Sequence, residues 1–391
     1  MSSGPYRIFI SAGEESGDLQ GAGLVASLME MRPDFQISGL GGKKMRQAGA
    51  RTLFDIDHRM GGIGFFESLG SLRHHWQIYR ALSKEILSGK YQAAILVHYP
   101  LFNLLLAKIC RKANLPTFFF ISPQVWAWRK GRVKKIRRRI NKMFVILPFE
   151  EQIYRDAGVD VEFVGHPFVE LVRPALTSEE ACREFGLAPG TKTVGLLPGS
   201  RISEIDRLLD TMVRAAALIR KGLRDCQFIL PIADSIDPGY IREKLKNSPV
   251  AVRCVAGKTY DAMSCCDYLV VASGSATLEA GLLGRPMVIV YKLRPLTFWM
   301  GRWFVRVKNF GLINIVAGEE VVPELLQGEA TAERIAQEAL SVLGDPARGQ
   351  AIRSRLLRVR ESLGEPGVAR RIAKSILAYL KISPTHEKVS I

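Results

Sequence analysis

Three loops that follow apolar runs of the sequence carry the polar side chains best placed to hold a ligand. The first contains Glu14, Glu15 and Asp18 between glycines, but it lacks a complete G-x-G-x-x-G pattern. Three carboxylates would repel a pyrophosphate, so the loop is a poor dinucleotide site. It is better suited to accepting hydrogen bonds from sugar hydroxyls, and we expect it to face a sugar.

The second loop, Gly199-Ser200-Arg201, has the composition of an anion site. Glycine lets backbone N–H groups approach a phosphate, the dipole of a following helix favours negative charge, and Arg201 can pair bidentately with phosphate oxygens. The alternative is an ordinary strand-to-helix turn with a solvated arginine.

The third loop contains Ser275 and Thr277, followed by Glu279 one helical turn later. Small residues leave room for a nucleotide, hydroxyls can bond a phosphate, and a carboxylate can accept both hydroxyls of a ribose. A serine-rich helix cap with a solvated Glu279 is the alternative. Together with the second loop, this one predicts a site for a nucleoside diphosphate.

The elements that must position these loops form an alternating pattern of short β-rich runs and helical stretches. Many of the runs are continuously apolar, which is typical of parallel strands covered on both faces, and the alternation indicates β-α-β units. The predicted strands are Arg7–Ala12, Ile37–Leu40, Ala93–Val97, Thr117–Ile121, Met143–Leu147, Val161–Val164, Thr193–Leu197, Gln227–Pro231, Val250–Val255, Tyr268–Ala272 and Met287–Tyr291.

A break near Pro174–Gly190 predicts two Rossmann-like domains of an α/β protein, facing one cleft. We expect an N-terminal domain over residues 1–175 and a nucleotide-binding domain over residues 176–345. Residues 346–391 are predicted as C-terminal helices that pack back toward the first domain, followed by a loose tail.

The composition describes a globular chain with an unusual charge. Its 391 residues are 47% hydrophobic, and 55 Lys and Arg against 38 Asp and Glu give a net charge of +17. No run approaches the length of a membrane span, no signal peptide is recognisable, and the six cysteines form no Cys-x-x-Cys pair. We therefore expect a protein of a reducing compartment with an anionic partner.

The charge is concentrated in residues 129–142, which contain nine basic residues and no acid. A solvated helix face is the simplest explanation, and no aromatic stacking platform accompanies it, so nucleic acid is not the favoured partner. Basic and aromatic residues also interleave in Leu296–Lys308. This interleaving favours contact with an anionic membrane surface.

These loops and several further blocks, taken together, resemble the lipid-A-disaccharide synthases, inverting glycosyltransferases of the two-domain GT-B type. The similarity runs nearly end to end. The blocks that carry it are Ala12–Asp18, Met60–Gly64 with Glu67, Ser122–Arg129, Leu147–Glu150, Gly165-His166, Leu197–Arg201, Ala272–Glu279, Tyr291-Lys292 with Thr297–Trp299, and Asn314 with Ala317-Gly318.

The resemblance implies a reaction in lipid A and lipopolysaccharide biosynthesis. UDP-2,3-diacylglucosamine would condense with 2,3-diacylglucosamine 1-phosphate to give the β(1→6) disaccharide 1-phosphate and UDP. By the same resemblance Arg201 would contact phosphate, Glu279 the ribose and Asn314 the substrate, and Glu14 would face the acceptor. We expect no cofactor and no metal, and a peripheral position on the cytoplasmic face of the inner membrane of a Gram-negative-type bacterium. A homodimer is compatible with the family.

The sequence departs from the family where the general base is expected. Family members carry an Asp-x-Pro-Asp-Phe-Asn segment, whereas this chain has His98 and Leu101 at the two aspartate positions and keeps Asn103, a further candidate substrate contact. Three hypotheses remain open: His98 is the base, Glu15 or Asp18 serves instead, or the enzyme is impaired. A silent acyl-sugar or nucleotide-binding homologue and a UDP-N-acetylglucosamine 2-epimerase-like enzyme are the alternative functions.

Overall fold

The computed structural model describes residues 5–56, 69–128, 133–292 and 309–385. The chain divides into two units. The N-terminal unit comprises Met1–Pro167 and Glu365–Ile391, and the C-terminal unit comprises Phe168–Gly364.

The N-terminal unit is built on a seven-stranded parallel sheet of order β3-β2-β1-β4-β5-β6-β7. Its strands are β1 Arg7–Ala12, β2 Gln36–Gly41, β3 Arg51–Asp55, β4 Ala93–Val97, β5 Thr117–Phe120, β6 Lys142–Val145 and β7 Val161–Phe163. Its helices are α1 Glu15–Met31, α2 Lys43–Gln47, α3 Leu69–Ile86, α4 Pro100–Lys112, α5 Val125–Trp128, α6 Val133–Arg137 and α7 Pro148–Asp156, with α17 Val368–Tyr379 from the end of the chain.

Both faces of this sheet are covered, which explains the continuously apolar strands. Successive side chains of a strand point to opposite faces, so Phe9 joins the core beneath α3 and α4, while Ile8 and Ile10 join the core beneath α1 and α17. The side chains of the central strands are thus buried by two helical layers, one on each face of the sheet.

The C-terminal unit is a six-stranded parallel sheet of order β10-β9-β8-β11-β12-β13. Its strands are β8 Lys192–Leu197, β9 Cys226–Ile232, β10 Val252–Ala256, β11 Tyr268–Ala272, β12 Met287–Tyr291 and β13 Glu324–Leu326. Its helices are α8 Phe168–Leu171, α9 Ser178–Glu184, α10 Ile202–Gly222, α11 Pro238–Leu245, α12 Thr259–Ser264, α13 Ser275–Leu282, α14 Leu312–Ala317, α15 Ala332–Leu343 and α16 Pro346–Ser362, with a 3₁₀ turn at Gln327–Glu329.

The predicted fold class, α/β with two Rossmann-like domains of the GT-B type and C-terminal helices, is confirmed, and all eleven predicted strands are present within one or two residues. Two strands were not predicted. The edge strand β3 is only partly buried, and β13 has three residues, so neither produces an apolar run. Among the described helices, none is long and apolar enough to cross a membrane.

The domain limits differ from those predicted. The first division falls after Pro167 rather than after residue 175, and the C-terminal helices divide between the units. Helix α16 stays with the C-terminal unit, where Leu356 is fully buried. Only α17 packs on the N-terminal unit, since Ile372 and Ile376 lie one helical turn apart and enter the core beneath α1.

Candidate active site

Each sheet reverses its strand order at one point, and the candidate loops follow the two strands at that point. In the N-terminal unit the reversal lies between β1 and β4, and in the C-terminal unit between β8 and β11. Ligands of open parallel sheets bind outside the carboxyl ends of strands at such a switch point, because the flanking helices diverge there. The topology therefore gives each unit one crevice lined by predicted residues.

In the N-terminal unit the switch point brings Glu14 and His98 together. Ala12 is the register partner of Val97, so the loops that follow the two strands start side by side. The Nδ1 atom of His98 contacts the Glu14 carboxylate, and both side chains remain partly exposed, at 35% and 23%. This pairing leaves Nε2 as the nitrogen that can take a proton from a substrate.

The surroundings of Glu14 favour its ionised form. Burial alone would raise the pKa of this carboxyl, but the hydrogen bond and the charge of His98, together with the backbone N–H of Tyr99, outweigh burial. The net pKa of Glu14 lies below its ordinary value. A carboxylate that stays ionised can hold the imidazole in one tautomer, as the aspartate does in a Ser-His-Asp triad.

The turn that presents His98 is conformationally strained. His98 and Tyr99 both have positive φ, 49° and 48°, a region that costs a non-glycine residue on the order of 1 kcal/mol or more. The strain is held by hydrogen bonds from the His98 N–H to the Phe120 carbonyl (2.8 Å) and from the Asn103 side chain to the His98 carbonyl (2.8 Å). A Cβ at Gly13 would overlap the Tyr99 ring, so only glycine fits beneath this turn.

Asn103 and Asp18, both predicted at the site, are each held by several hydrogen bonds within the protein. Asn103 is fully buried; its oxygen accepts from the Ser11 hydroxyl and its amide donates to three backbone carbonyls. Asp18 is 6% exposed and accepts the N–H groups of Gly42 (2.7 Å), Lys44 (2.9 Å) and Met45 (3.1 Å) at the start of α2. These contacts occupy the atoms that substrate binding or proton transfer would use. Glu15, in contrast, is exposed.

A buried carboxyl organises the loop after β5, next to His98 in the strand order. Glu150 is 2% exposed and accepts from the Ser122 hydroxyl (2.7 Å) and the Trp126 indole N–H (3.1 Å). Burial raises the pKa of Glu150 to about 7, against the lowering effect of these hydrogen bonds. Glu150 thus fixes the Ser122–Trp126 segment.

In the C-terminal unit the loop after β8 is folded around a carboxylate. Glu204 in α10 accepts the Ser200 N–H (3.1 Å) and pairs with Arg201 at 3.2 Å, and a Cβ at Gly199 would overlap its carboxylate. The Arg201 side chain is 79% exposed. Such an exposed ion pair contributes about 0–1 kcal/mol, so a phosphate could take the place of Glu204.

The loop after β11 presents one carboxyl and one hydroxyl. Ser275 is exposed, whereas Glu279 is half-buried and hydrogen-bonded to Ser275 and Tyr260. Burial raises the pKa of Glu279, and the two hydrogen bonds lower it in part. Tyr260 was not predicted at the site, because it follows β10 on α12 and no local pattern distinguishes it.

Thr277 and Asn314, also predicted as substrate contacts, are completely buried and shape the same loops. The Thr277 hydroxyl donates to the Gly274 carbonyl (2.8 Å) and accepts the Leu312 N–H (3.1 Å). Asn314 accepts the N–H groups of Val321 and Val322, and its amide donates to the Val322 carbonyl and the Glu324 carboxylate. Their polar atoms bind the protein itself, so the geometry supports a positioning role rather than direct contact.

The described residues were also compared with the ligand groups that bind metal ions in proteins, which are clusters of His, Cys, Asp and Glu side chains. Within the ranges that the structure describes, no group of three or more His, Cys, Asp or Glu side chains is arranged to hold a metal ion. The predicted blocks Met60–Gly64, Glu67 and Thr297–Trp299 lie outside the described residues.

Known proteins resemble this chain over nearly its whole length. The family model for "Lipid-A-disaccharide synthetase" matches residues 8–377. The lipid-A-disaccharide synthase of Syntrophus aciditrophicus (strain SB) is 44% identical over 377 residues, which cover 96% of this chain and 98% of that protein. The synthase of Myxococcus xanthus (strain DK1622) is 42% identical over 377 residues, covering 96% and 98%.

Solved structures share the fold at low sequence identity. A putative UDP-N-acetylglucosamine 2-epimerase from Listeria monocytogenes has a TM-score of 0.64 with 13% identity, covering 96% of both chains. The calicheamicin glycosyltransferase CalG4 has a TM-score of 0.59 with 13% identity, covering 100% of both chains. At this identity the likeness concerns the fold alone.

The raised pKa of Glu150 predicts a pH-dependent stability. Because the folded state holds the proton up to about pH 7 and the unfolded state releases it near 4.5, the contribution of Glu150 to stability is greatest below 4.5 and is lost as the pH rises through that interval. The loss is about 3 kcal/mol for a shift of this size. Urea unfolding across the interval measures it, and Glu150→Gln should remove this part of the slope.

The test compares the pH slope of the unfolding free energy, not the absolute stability. In Glu150→Gln the new amide nitrogen would face the Leu147 N–H, and this changes the stability at every pH. Glu151→Gln is the matched control. It changes the next residue of α7, which pairs with Arg155 at the surface, and should keep the wild-type slope. An unchanged slope in Glu150→Gln would show that this carboxyl titrates normally.

Proposed function

This chain belongs to the lipid-A-disaccharide synthase family, and we propose that it performs its glycosyl transfer with His98 as general base, oriented by Glu14. Its activity is synthesis of the lipid A disaccharide, a hexosyl transfer. The observation that carries the mechanistic proposal is the contact between His98 Nδ1 and the Glu14 carboxylate at the switch point of the N-terminal sheet.

The substrates follow from the family. We infer that the donor is UDP-2,3-diacylglucosamine and that the acceptor is 2,3-diacylglucosamine 1-phosphate. The 6-hydroxyl oxygen of the acceptor attacks C1 of the donor sugar, the new O6–C1 bond forms as the bond from C1 to the UDP oxygen breaks, and the configuration at C1 inverts. The products are the β(1→6) disaccharide 1-phosphate and UDP.

His98 takes the proton in this scheme. As the acceptor oxygen attacks, its hydrogen passes to Nε2, while the Glu14 carboxylate stabilises the imidazolium through Nδ1. Of the competing bases, Asp18 has its oxygens engaged by three backbone N–H groups. Glu15 is exposed and remains the competitor that experiment must exclude.

The C-terminal unit supplies the groups for the nucleotide. Arg201 and the Ser200 N–H, at the start of α10, are suited to the diphosphate, and they compensate the charge that develops on the departing UDP. Glu279 and Ser275 are suited to the ribose hydroxyls. With the leaving group stabilised in this way, we propose that transfer requires neither metal nor cofactor.

Because both proposed substrates carry acyl chains, we expect the enzyme to act at the surface of a bilayer. We propose peripheral attachment to the anionic cytoplasmic face of the inner membrane, supported by the exposed basic residues of α6 and its end, Lys134, Lys135 and Arg138. Residues 129–132 and the basic-aromatic segment 296–308 lie outside the described residues. The homodimer also stays a prediction.

The function is tested by incubating the purified chain with both substrates. Disaccharide 1-phosphate and UDP in equal amounts are expected. Epimerised sugar nucleotide would instead indicate the 2-epimerase reaction, and tight binding of UDP-diacylglucosamine without turnover would indicate an impaired homologue. No observation on the fold or the family favours either alternative over transfer.

Removal of the imidazole tests the base. His98→Ala should lower kcat by about 10²–10⁴-fold, the usual contribution of a general base, with little change in KM. Glu14→Gln should keep an acceptor for Nδ1 but lose the charge, so a smaller loss in kcat and a changed pH profile are expected. Steady-state kinetics with both substrates provide the measurement.

Glu15→Gln is the matched comparison, because Glu15 is the adjacent carboxylate and carries the same charge. Near-normal turnover is expected for this variant if His98 is the base. The opposite pattern, loss in Glu15→Gln and wild-type-like turnover in His98→Ala, would overturn the assignment.

A further inference from the structure

A pocket of about 350 Å³ in the N-terminal unit is lined by four arginines. Its polar lining, here called the arginine pocket, consists of Arg111, Arg137, Arg138 and Arg139 with Asn114 and Asn141. The lining, all of it within the described residues, contains no carboxylate. Four cations around one cavity repel one another, and an anion in the pocket would relieve that repulsion.

Two of the arginines are anchored by the backbone rather than by acids. The Arg111 guanidinium donates to the Arg138 carbonyl, and the Arg139 guanidinium donates to the Leu104 carbonyl at 3.0 Å. Arg137 packs close to Gly158, where a Cβ would lie 3.2 Å from the guanidinium carbon. The donors are therefore fixed in place with N–H groups to spare, which is the arrangement that binds phosphate oxygens bidentately.

Helix capping explains only part of this cluster. Cations at a helix C-terminus interact favourably with the helix dipole, and this accounts for Arg137 at the end of α6. Arg111, in the last turn of α4, has the same explanation, but the dipoles do not account for two separate helix ends meeting at one cavity, nor for Arg138 and Arg139, which follow α6.

The arginine pocket is separate from the catalytic residues. Asn114 and Asn141 precede β5 and β6, so the pocket lies at the amino-terminal edge of the sheet, whereas Glu14 and His98 follow strands at the carboxyl edge. Strand β5, with four residues, spans about 13 Å between these edges. The pocket is therefore not the site of the reacting acceptor hydroxyl.

Helix α4 joins the two edges with an amphipathic outer face. Leu101 and Leu105, one helical turn apart near His98, are 52% and 50% exposed. Farther along the same face the exposed residues are Lys108 and Lys112, next to the arginine pocket. Exposed leucines beside cations are typical of a helix that lies in a lipid interface.

We propose that the arginine pocket binds the phosphate of an anionic glycerophospholipid and thereby lays the outer face of α4 on the bilayer surface. The inference rests on the proposed function, in which both substrates carry acyl chains. A lipid phosphate is favoured over a free phosphate because the leucines on α4 continue the same surface. The bilayer contact would keep the His98 end of α4 close to the membrane that supplies the acceptor.

Vesicle sedimentation of the full chain tests the proposal. The probes are phosphatidylcholine vesicles with and without phosphatidylglycerol, and the variant is Arg111→Gln/Arg138→Gln. Affinity for the anionic vesicles should fall about thirtyfold, as expected for two lost cations at ~1 kcal/mol each. Lys221→Gln/Arg224→Gln removes two exposed basic residues of the C-terminal unit and should bind as the wild type does.

The single variant Arg138→Gln is included because the double variant could misfold. Only the backbone carbonyl of Arg138 accepts the Arg111 hydrogen bond, so this substitution leaves that bond in place. Equal loss in the pocket and control variants would show that only net charge matters and would overturn the proposal. A second result would also overturn it: calorimetry shows that inorganic phosphate binds the wild type and not the Arg111→Gln/Arg138→Gln variant, while the two proteins bind vesicles equally. The pocket would then hold free phosphate rather than a lipid. Turnover of detergent-dispersed substrates by the wild type tests the proposed function separately.

Discussion

The contact between the Glu14 carboxylate and His98 Nδ1 is the interaction on which the catalytic proposal for this enzyme depends. It exists because β1 and β4 are neighbours in parallel register at the point where the strand order reverses. The loops after the two strands therefore start side by side, and the carboxylate meets Nδ1. The strained turn at His98, the glycine beneath Tyr99 and the buried Asn103 serve the same end, since each fixes the backbone turn that carries the imidazole.

The C-terminal unit repeats this arrangement of two neighbouring loops, with different side chains. Its loops after β8 and β11 also meet at a reversal of strand order, but they carry Arg201 and Glu279 where the N-terminal unit has Glu14 and His98. Glu204 now accepts the N–H of Ser200 and pairs with Arg201, the groups suited to a diphosphate. The internal carboxylate of this loop is thus weakly held, which supports the phosphate site proposed for it.

The sequence predicts those strands whose burial leaves a pattern of apolar residues. Strands covered on both faces give continuous apolar runs, whereas the edge strands β3 and β13 stay partly exposed and give none. The loops were located correctly, but local spacing does not tell whether a polar side chain faces a ligand or its own backbone. Asp18, Asn103, Thr277 and Asn314 all bind the protein, and this becomes visible only when distant segments such as the start of α2 are placed beside them.

The pH dependence of His98→Asp tests the central claim most directly, because aspartate is the residue that the family resemblance places at this position. If the side chain at position 98 is the base, the variant should turn over, and the acidic limb of kcat/KM should move to lower pH, because a carboxylate is a weaker base than an imidazole. An active variant whose acidic limb stays where it is in the wild type would contradict the account.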